Sequence, residues 1–127
     1  KKKKKGELFM FKKGNIVWVR LYTTSADKHL QQGLRPAVVL GNKKACAFSP
    51  ILTILPMTSK TGKEQKIPTH CLVSKKDTIG QKLRDSVVLT EQMRSVSKEN
   101  VVEVIDSLTP SKMQEVERNV KAQLGIA

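Results

Sequence analysis

The stretch Ile16-Val17-Trp18-Val19-Arg20-Leu21-Tyr22, opened by Gly14-Asn15, is built almost wholly of β-branched and aromatic residues and is too short for a stable helix, so it reads as a β-strand. Similar runs recur along the chain. A polar stretch, Thr23 to Gly33, is too weakly periodic for a helix and reads as a long loop. Pro36 then precedes Ala37-Val38-Val39-Leu40, a continuous apolar run suited to a strand buried on both faces, and Gly41-Asn42-Lys43-Lys44 breaks it. After Ser49-Pro50 comes the strand Ile51 to Thr58, in which Pro56 cannot donate to a ladder and marks an edge, a bulge or a strand end. Ser59 to Lys66 reads as a basic loop, Ile67 to Val73 as a strand, and Ser74 to Arg84 as a loop. Ser86 to Thr90 and Met93 to Val96 read as adjacent strands or one long bent strand, and Val101 to Ile105 as one more, with Ser97 capping a single turn between them.

Only the end of the chain is helical by pattern. Thr109 is a natural N-cap, Pro110 fits the first helical position, and Gly125 stands where a C′ glycine belongs. Met113, Val116, Val120 and Leu124 form one apolar stripe, opposed by the mixed charges of Glu115, Glu117, Arg118 and Lys121, which suits a helix packed on a sheet. Short strands, long loops and one closing helix make the fold class mostly β (α+β), a small, mainly antiparallel barrel with a C-terminal helix.

The chain has 127 residues, enough for one domain, and its 39% hydrophobic content supports an aliphatic core, while 4% aromatics leave few rings for stacking. No apolar run approaches membrane-span length and no secretory pattern is visible, so the expectation is a cytoplasmic protein with no membrane partner. The net charge of +13 is unevenly spread. Residues 1–82 hold 18 basic and 4 acidic residues, a net of +14, whereas residues 83–127 hold 6 and 7. Seven of the cations lie in residues 1–13, read as a basic, disordered tail preceding a single domain at residues 14–127. Without that tail, residues 14–82 still carry 11 basic against 3 acidic residues, which points to a polyanionic partner. Cys46 and Cys71 are not at ligand spacing and read as buried apolar groups. With His29 and His70 they form no recognisable metal site, and no metal or cofactor is expected.

Gly-rich phosphate loops, a GxSxG elbow and HExxH are all absent. What remains is a set of polar groups at strand ends. His29-Leu30-Gln31-Gln32-Gly33-Leu34-Arg35-Pro36 resembles the loop and strand start of the MazF/PemK/Kid toxins, which carry a similar Q-x-G-x-R-P. Ser49-Pro50 with a strand ending in Thr58, then Ile67-Pro68-Thr69-His70, then Asp85-Ser86-Val87-Val88-Leu89-Thr90-Glu91-Gln92-Met93-Arg94 resemble that family in the same order and spacing. The resemblance runs from about Gly14 to Gly125.

It implies an SH3-like barrel of the CcdB/MazF kind, homodimeric, that cleaves single-stranded RNA (mRNA) without metal and is neutralised by an acidic, MazE-like antitoxin. Such cleavage needs deprotonation of the 2′-hydroxyl, stabilisation of charge on the phosphoryl oxygens, and a proton for the departing 5′-oxygen. By residue statistics alone Arg35 reads as a surface or core-edge ion-pair group and Thr58 as an ordinary strand-end threonine. The resemblance implies that Arg35 stabilises the transition state and that Thr58 donates to the phosphate. His29, with an ordinary imidazole pKa near ~6.5, is a candidate base or RNA contact. Leu30 stands where many relatives are acidic. The arginine–aspartate pair of Kid-type relatives is also missing, with Leu89 and Glu91 at the matching places, so the arrangement is MazF-type and the general base is unassigned. Glu91 is a second candidate, though orienting Arg94 suits it better. Gln31, Gln32, Pro68, His70, Gln92 and Arg94 match groove-lining positions, and Lys60, Lys63 and Lys66 suit phosphate contact. Two other readings compete: a CcdB-like toxin that binds DNA gyrase, which needs neither Arg35 nor Thr58, and a non-catalytic RNA-binding module, for which aromatic residues are scarce.

Overall fold

Alternation along the first strand divides the hydrophobic interior in two. The structure, a computed structural model, describes residues 11–22, 31–59 and 70–126. In β1 (Asn15–Leu21), Val17, Val19 and Leu21 join an inner cluster with Ala37, Val39, Leu52, Ile54 and Val96. Ile16 joins an outer cluster with Val38, Leu55, Met57, Cys71, Val73 and Val88. Successive residues of β2 (Gly33–Leu40) and β3 (Ile51–Ser59) likewise alternate between the two, so one sheet separates two cores. Each fully buried Val, Ile or Leu contributes about 1.5–3 kcal/mol by leaving water.

Among the described residues every strand pairing is antiparallel. The hydrogen-bonded order is β4 (His70–Val73), β5 (Ser86–Leu89), β3, β2, β1, β7 (Val101–Ser107), with β6 (Arg94–Ser97) added along β3. The mainly antiparallel fold with its C-terminal helix is thus as expected, although among the described residues no ladder closes the sheet into a complete barrel. The segments read as adjacent strands or one bent strand are two strands that both pair with β3. β5 faces Met57–Ser59 and β6 faces Ile51–Ile54, out of register by three residues. The interruption is the 3-10 turn Thr90–Gln92, and Pro56, inside β3 and paired with Ala37, lies where the β3 ladder passes from β5 to β6.

One element was not anticipated. Gly41-Asn42 does end β2, but Asn42 then caps a short helix, α1 (Lys43–Phe48), its Oδ1 accepting the Ala45 N–H at 2.9 Å. The C-terminal helix α2 (Pro110–Leu124) has the expected Thr109 N-cap and ends at Gly125, at φ 74°. Met113 and Val116 are buried and Val120 packs beside them, but Leu124, in the exposed last turn, lies in solvent. A polar hub fixes α2 to β4. Lys112 Nζ donates to the Leu72 carbonyl at 3.1 Å and meets Glu115 at 2.7 Å, while the Cys71 thiol lies 3.4 Å from the other Glu115 oxygen. Burial, with the Glu115 carboxylate beside it, pushes the Cys71 thiol up to about 12. Both cysteines are buried and free, as expected.

The β4–β5 connection is fastened by Asp106 of β7. Its carboxylate accepts the N–H groups of Gly80 at 2.7 Å, Lys82 at 3.1 Å and Ser107 at 2.8 Å. A Cβ on Gly80 would lie 3.0 Å from Asp106 Oδ1, so only glycine fits there without displacement. Among the described residues no helix is long and apolar enough to cross a membrane.

Candidate functional site

Ala37 and Pro56 form the last facing couple of β2 and β3. Continuing that register by two residues sets Arg35 level with Thr58, on the face that carries the inner cluster. The ladder between the strands has stopped by this point. Arg35 is held by Val19 of β1 and Thr58 by Val87 of β5, each on its outer side, and β2 and β3 part between them. Exposed Arg35 and half-buried Thr58 therefore flank the point where the β2–β3 ladder ends.

Register carries His70 to this face as well. Leu72 shares a row with Val87 and Thr58, and His70 lies two residues along β4, opposite Leu89. Its imidazole is buried, and Nε2 meets Glu91 Oε2 at 2.7 Å. Glu91 reaches it because the 3-10 turn after β5 lifts residues 90–92 out of the ladder. The expectation that Glu91 orients Arg94 is not met. Arg94, paired with Ile54 through β6, donates instead to two backbone carbonyls, those of Tyr22 and Gln31, the latter at 3.4 Å. A carbonyl pair is available because the chain leaves β1 at Tyr22 and returns toward β2 at Gln31.

Gln92 completes that attachment, its Oε1 accepting the Gln31 N–H at 2.9 Å. The next residue, Gln32, turns its carbonyl to Arg35 Nε at 2.9 Å. Gly33 follows at φ +85°, a left-handed conformation that a residue with a Cβ adopts only with strain. The two Nη groups of Arg35 make no hydrogen bond among the described residues. Gln31 Oε1 is buried with no hydrogen-bond partner among them, an acceptor that an N–H or hydroxyl donor would satisfy.

The structure thus brings Arg35, Thr58, His70, Glu91, Gln31, Gln32, Gln92 and Arg94 to one side of the sheet. His29, Lys60, Lys63, Lys66 and Pro68 lie outside the described residues. The Tyr22 carbonyl was not anticipated, since a backbone acceptor leaves no mark in the sequence. Chemically the site offers a planar cationic donor, a neutral hydroxyl donor and a carboxylate–imidazole pair, a set matched to a phosphodiester. Among the described residues no group of three or more His, Cys, Asp or Glu is placed to hold a metal ion.

Residues 12–124 match the family described as PemK-like, MazF-like toxin of type II toxin-antitoxin system. Among solved structures, MazF from Deinococcus radiodurans superposes with a TM-score of 0.74 at 22% identity, covering 93% of this chain and 99% of that one. A MazE-MazF complex from the same organism gives 0.72 at 20% identity, covering 94% and 100%. An endoribonuclease from Mycobacterial species gives 0.73 at 14% identity, covering 94% and 96%.

Proposed function

Because the chain belongs to the PemK-like, MazF-like toxins of type II toxin–antitoxin systems, we propose that it is an mRNA interferase, a cytoplasmic and homodimeric endoribonuclease that cuts single-stranded RNA at short sequences without a metal ion. What supports this reading is that, by continuation of the β2–β3 register, Arg35 and Thr58 fall level on one face just past the end of that ladder, with the Arg35 Nη pair making no hydrogen bond among the described residues. In the step proposed, the 2′-oxygen attacks the adjacent phosphorus and its proton passes to a base. The phosphorus–5′-oxygen bond breaks, and the 5′-oxygen takes up a proton. The products are a 2′,3′-cyclic phosphate and a 5′-hydroxyl.

Arg35 offers two parallel N–H donors to the phosphoryl oxygens as their charge grows, and Thr58 adds a third donor without adding charge. In this reading Arg35 also gives the leaving oxygen its proton. The base is either His29 or Glu91, and the engagement of Glu91 with His70 favours His29. The inhibitor is an acidic, MazE-like peptide, and the D. radiodurans MazE-MazF complex among the structural neighbours supports that partnership.

The test is to incubate purified protein with a long mixed-sequence RNA in EDTA and map the ends. Cuts at a recurring short sequence, bearing cyclic phosphate and 5′-hydroxyl ends, are expected. Activity that disappears with chelator, or ends bearing 5′-phosphate, would remove the metal-free mechanism.

A further inference from the structure

Arg35 occupies an exposed strand end, where a long side chain has considerable rotamer freedom to lose. Fixing its Nε–H on a carbonyl removes part of that freedom before any ligand arrives and sets the plane of the two Nη groups. The carbonyl, from Gln32, is only as fixed as its own peptide. Gln31, one residue before it, is held on both of its backbone polar groups, its N–H by Gln92 and its C=O by Arg94. Gly33, one residue after, makes the left-handed turn that directs the chain into β2.

Gln92 and Arg94 are themselves rigidly based. Arg94 pairs with Ile54 of the inner core, and Gln92 closes the 3-10 turn between β5 and β6. We infer that Gln92 and Arg94 are positioning residues: they hold the Gln31–Gln32 backbone, which holds Arg35 in the orientation that engages phosphate. This rests on the endoribonuclease reading and departs from the sequence resemblance, which aligns both residues with groove-lining positions. Among the described residues Arg94 donates to two carbonyls, so its guanidinium is directed into the backbone it anchors.

Orientation and binding are separable by experiment. Arg94→Ala, Arg94→Lys and Gln92→Ala are compared with the parent protein in three measurements: kcat and KM on a cleavable RNA, Kd for the same strand made entirely of 2′-deoxynucleotides, and proton exchange at the Gln31 amide and the Arg35 Nε–H by NMR. Arg94→Ala is expected to lower kcat by about 10- to 100-fold, to change the Kd of the uncleavable strand by less than about threefold, and to speed exchange at both protons. Arg94→Lys, whose ammonium can still reach one carbonyl, recovers part of the loss, and Gln92→Ala speeds exchange at Gln31 first. A tenfold loss of Kd with kcat unchanged makes Arg94 an RNA contact and overturns the inference, as does unaltered exchange at Arg35. If the parent protein cuts no RNA, the endoribonuclease reading fails, while the exchange measurements still decide whether Arg94 orders Arg35.

Discussion

The His70 imidazole, only 4% exposed, meets the Glu91 carboxylate at 2.7 Å across 21 residues of sequence. The contact ties β4 to the 3-10 turn after β5, on the same face of the sheet as Thr58. Glu91→Ala takes away the acceptor at Nε2 of a buried ring and is expected to cost about 1–3 kcal/mol of stability, with Glu91→Gln costing less because one acceptor remains. A double-mutant cycle with His70→Ala by denaturant unfolding should give a coupling of about 0.5–3 kcal/mol. Additive losses would show that the two groups do not support each other.

Arg35→Ala and Thr58→Ala should each reduce RNA cleavage by about two to three orders of magnitude, the usual loss on removing one preorganised donor to a growing negative charge. Both residues flank the point where the β2–β3 ladder ends, so the variants should keep the thermal midpoint and oligomeric state of the parent. Arg35→Lys keeps the charge but loses the paired donors, and it should recover only a small part of the rate. Parental cleavage by either alanine variant would remove that residue from the site.

Much of this fold was legible because its signals are local. The run Ile16 to Tyr22 carries its own strand propensity, and Thr109, Pro110 and Gly125 mark the ends of α2 with residues whose backbone preferences suit those positions. α1 escaped because Gly41-Asn42 reads equally as a break and as a cap, and six residues are too few to show a period. The three-residue slip between β5 and β6 is a property of two ladders at once, and only the proline at position 56 hinted at it. Arg35 and Thr58 could be singled out by motif, but their juxtaposition depends on register across 23 residues. The partners of Arg94 are carbonyl oxygens, which every residue has.

Asp106 provides a prediction with a definite sign in pH. Burial would raise its pKa, but the N–H groups of Gly80, Ser107 and Lys82 outweigh it and hold the carboxyl below the ordinary aspartate value. A folded-state value below the unfolded one stabilises the protein above the unfolded pKa, about 3.9, and that stabilisation is lost as pH falls through the lower folded value. Asp106→Asn should therefore cost about 1–3 kcal/mol at pH 7. The gap from the parent should close below pH 4 in denaturant melts; a constant difference from pH 7 to pH 3 would contradict the assignment.

The two thiols should be silent in the folded protein. Cys71 is raised to about 12, and burial also raises Cys46, so neither is a thiolate at pH 8. Ellman's reagent should find no reactive thiol in the native state and two in guanidinium. Rapid native labelling of Cys71 would mean that α2 lifts from β4, since Glu115 of that helix lies against the thiol.

Charge links the two proposed ligands. The net +8 of residues 14–82 attracts a polyanion regardless of its backbone, so RNA and an acidic antitoxin peptide should compete for the same face. An uncleavable 2′-deoxy strand and an acidic peptide with apolar anchors are therefore expected to be mutually exclusive in a displacement titration. Both should weaken as salt rises, the nucleic acid with a log–log slope of about −0.7 for each phosphate neutralised. The peptide should keep a larger share of its affinity at high salt, because its apolar anchors bury area that screening does not touch. A ternary complex of protein, strand and peptide would show that the antitoxin acts from another surface. In that case the basic region would attract RNA alone, and inhibition would have to work through a change in shape at Arg35.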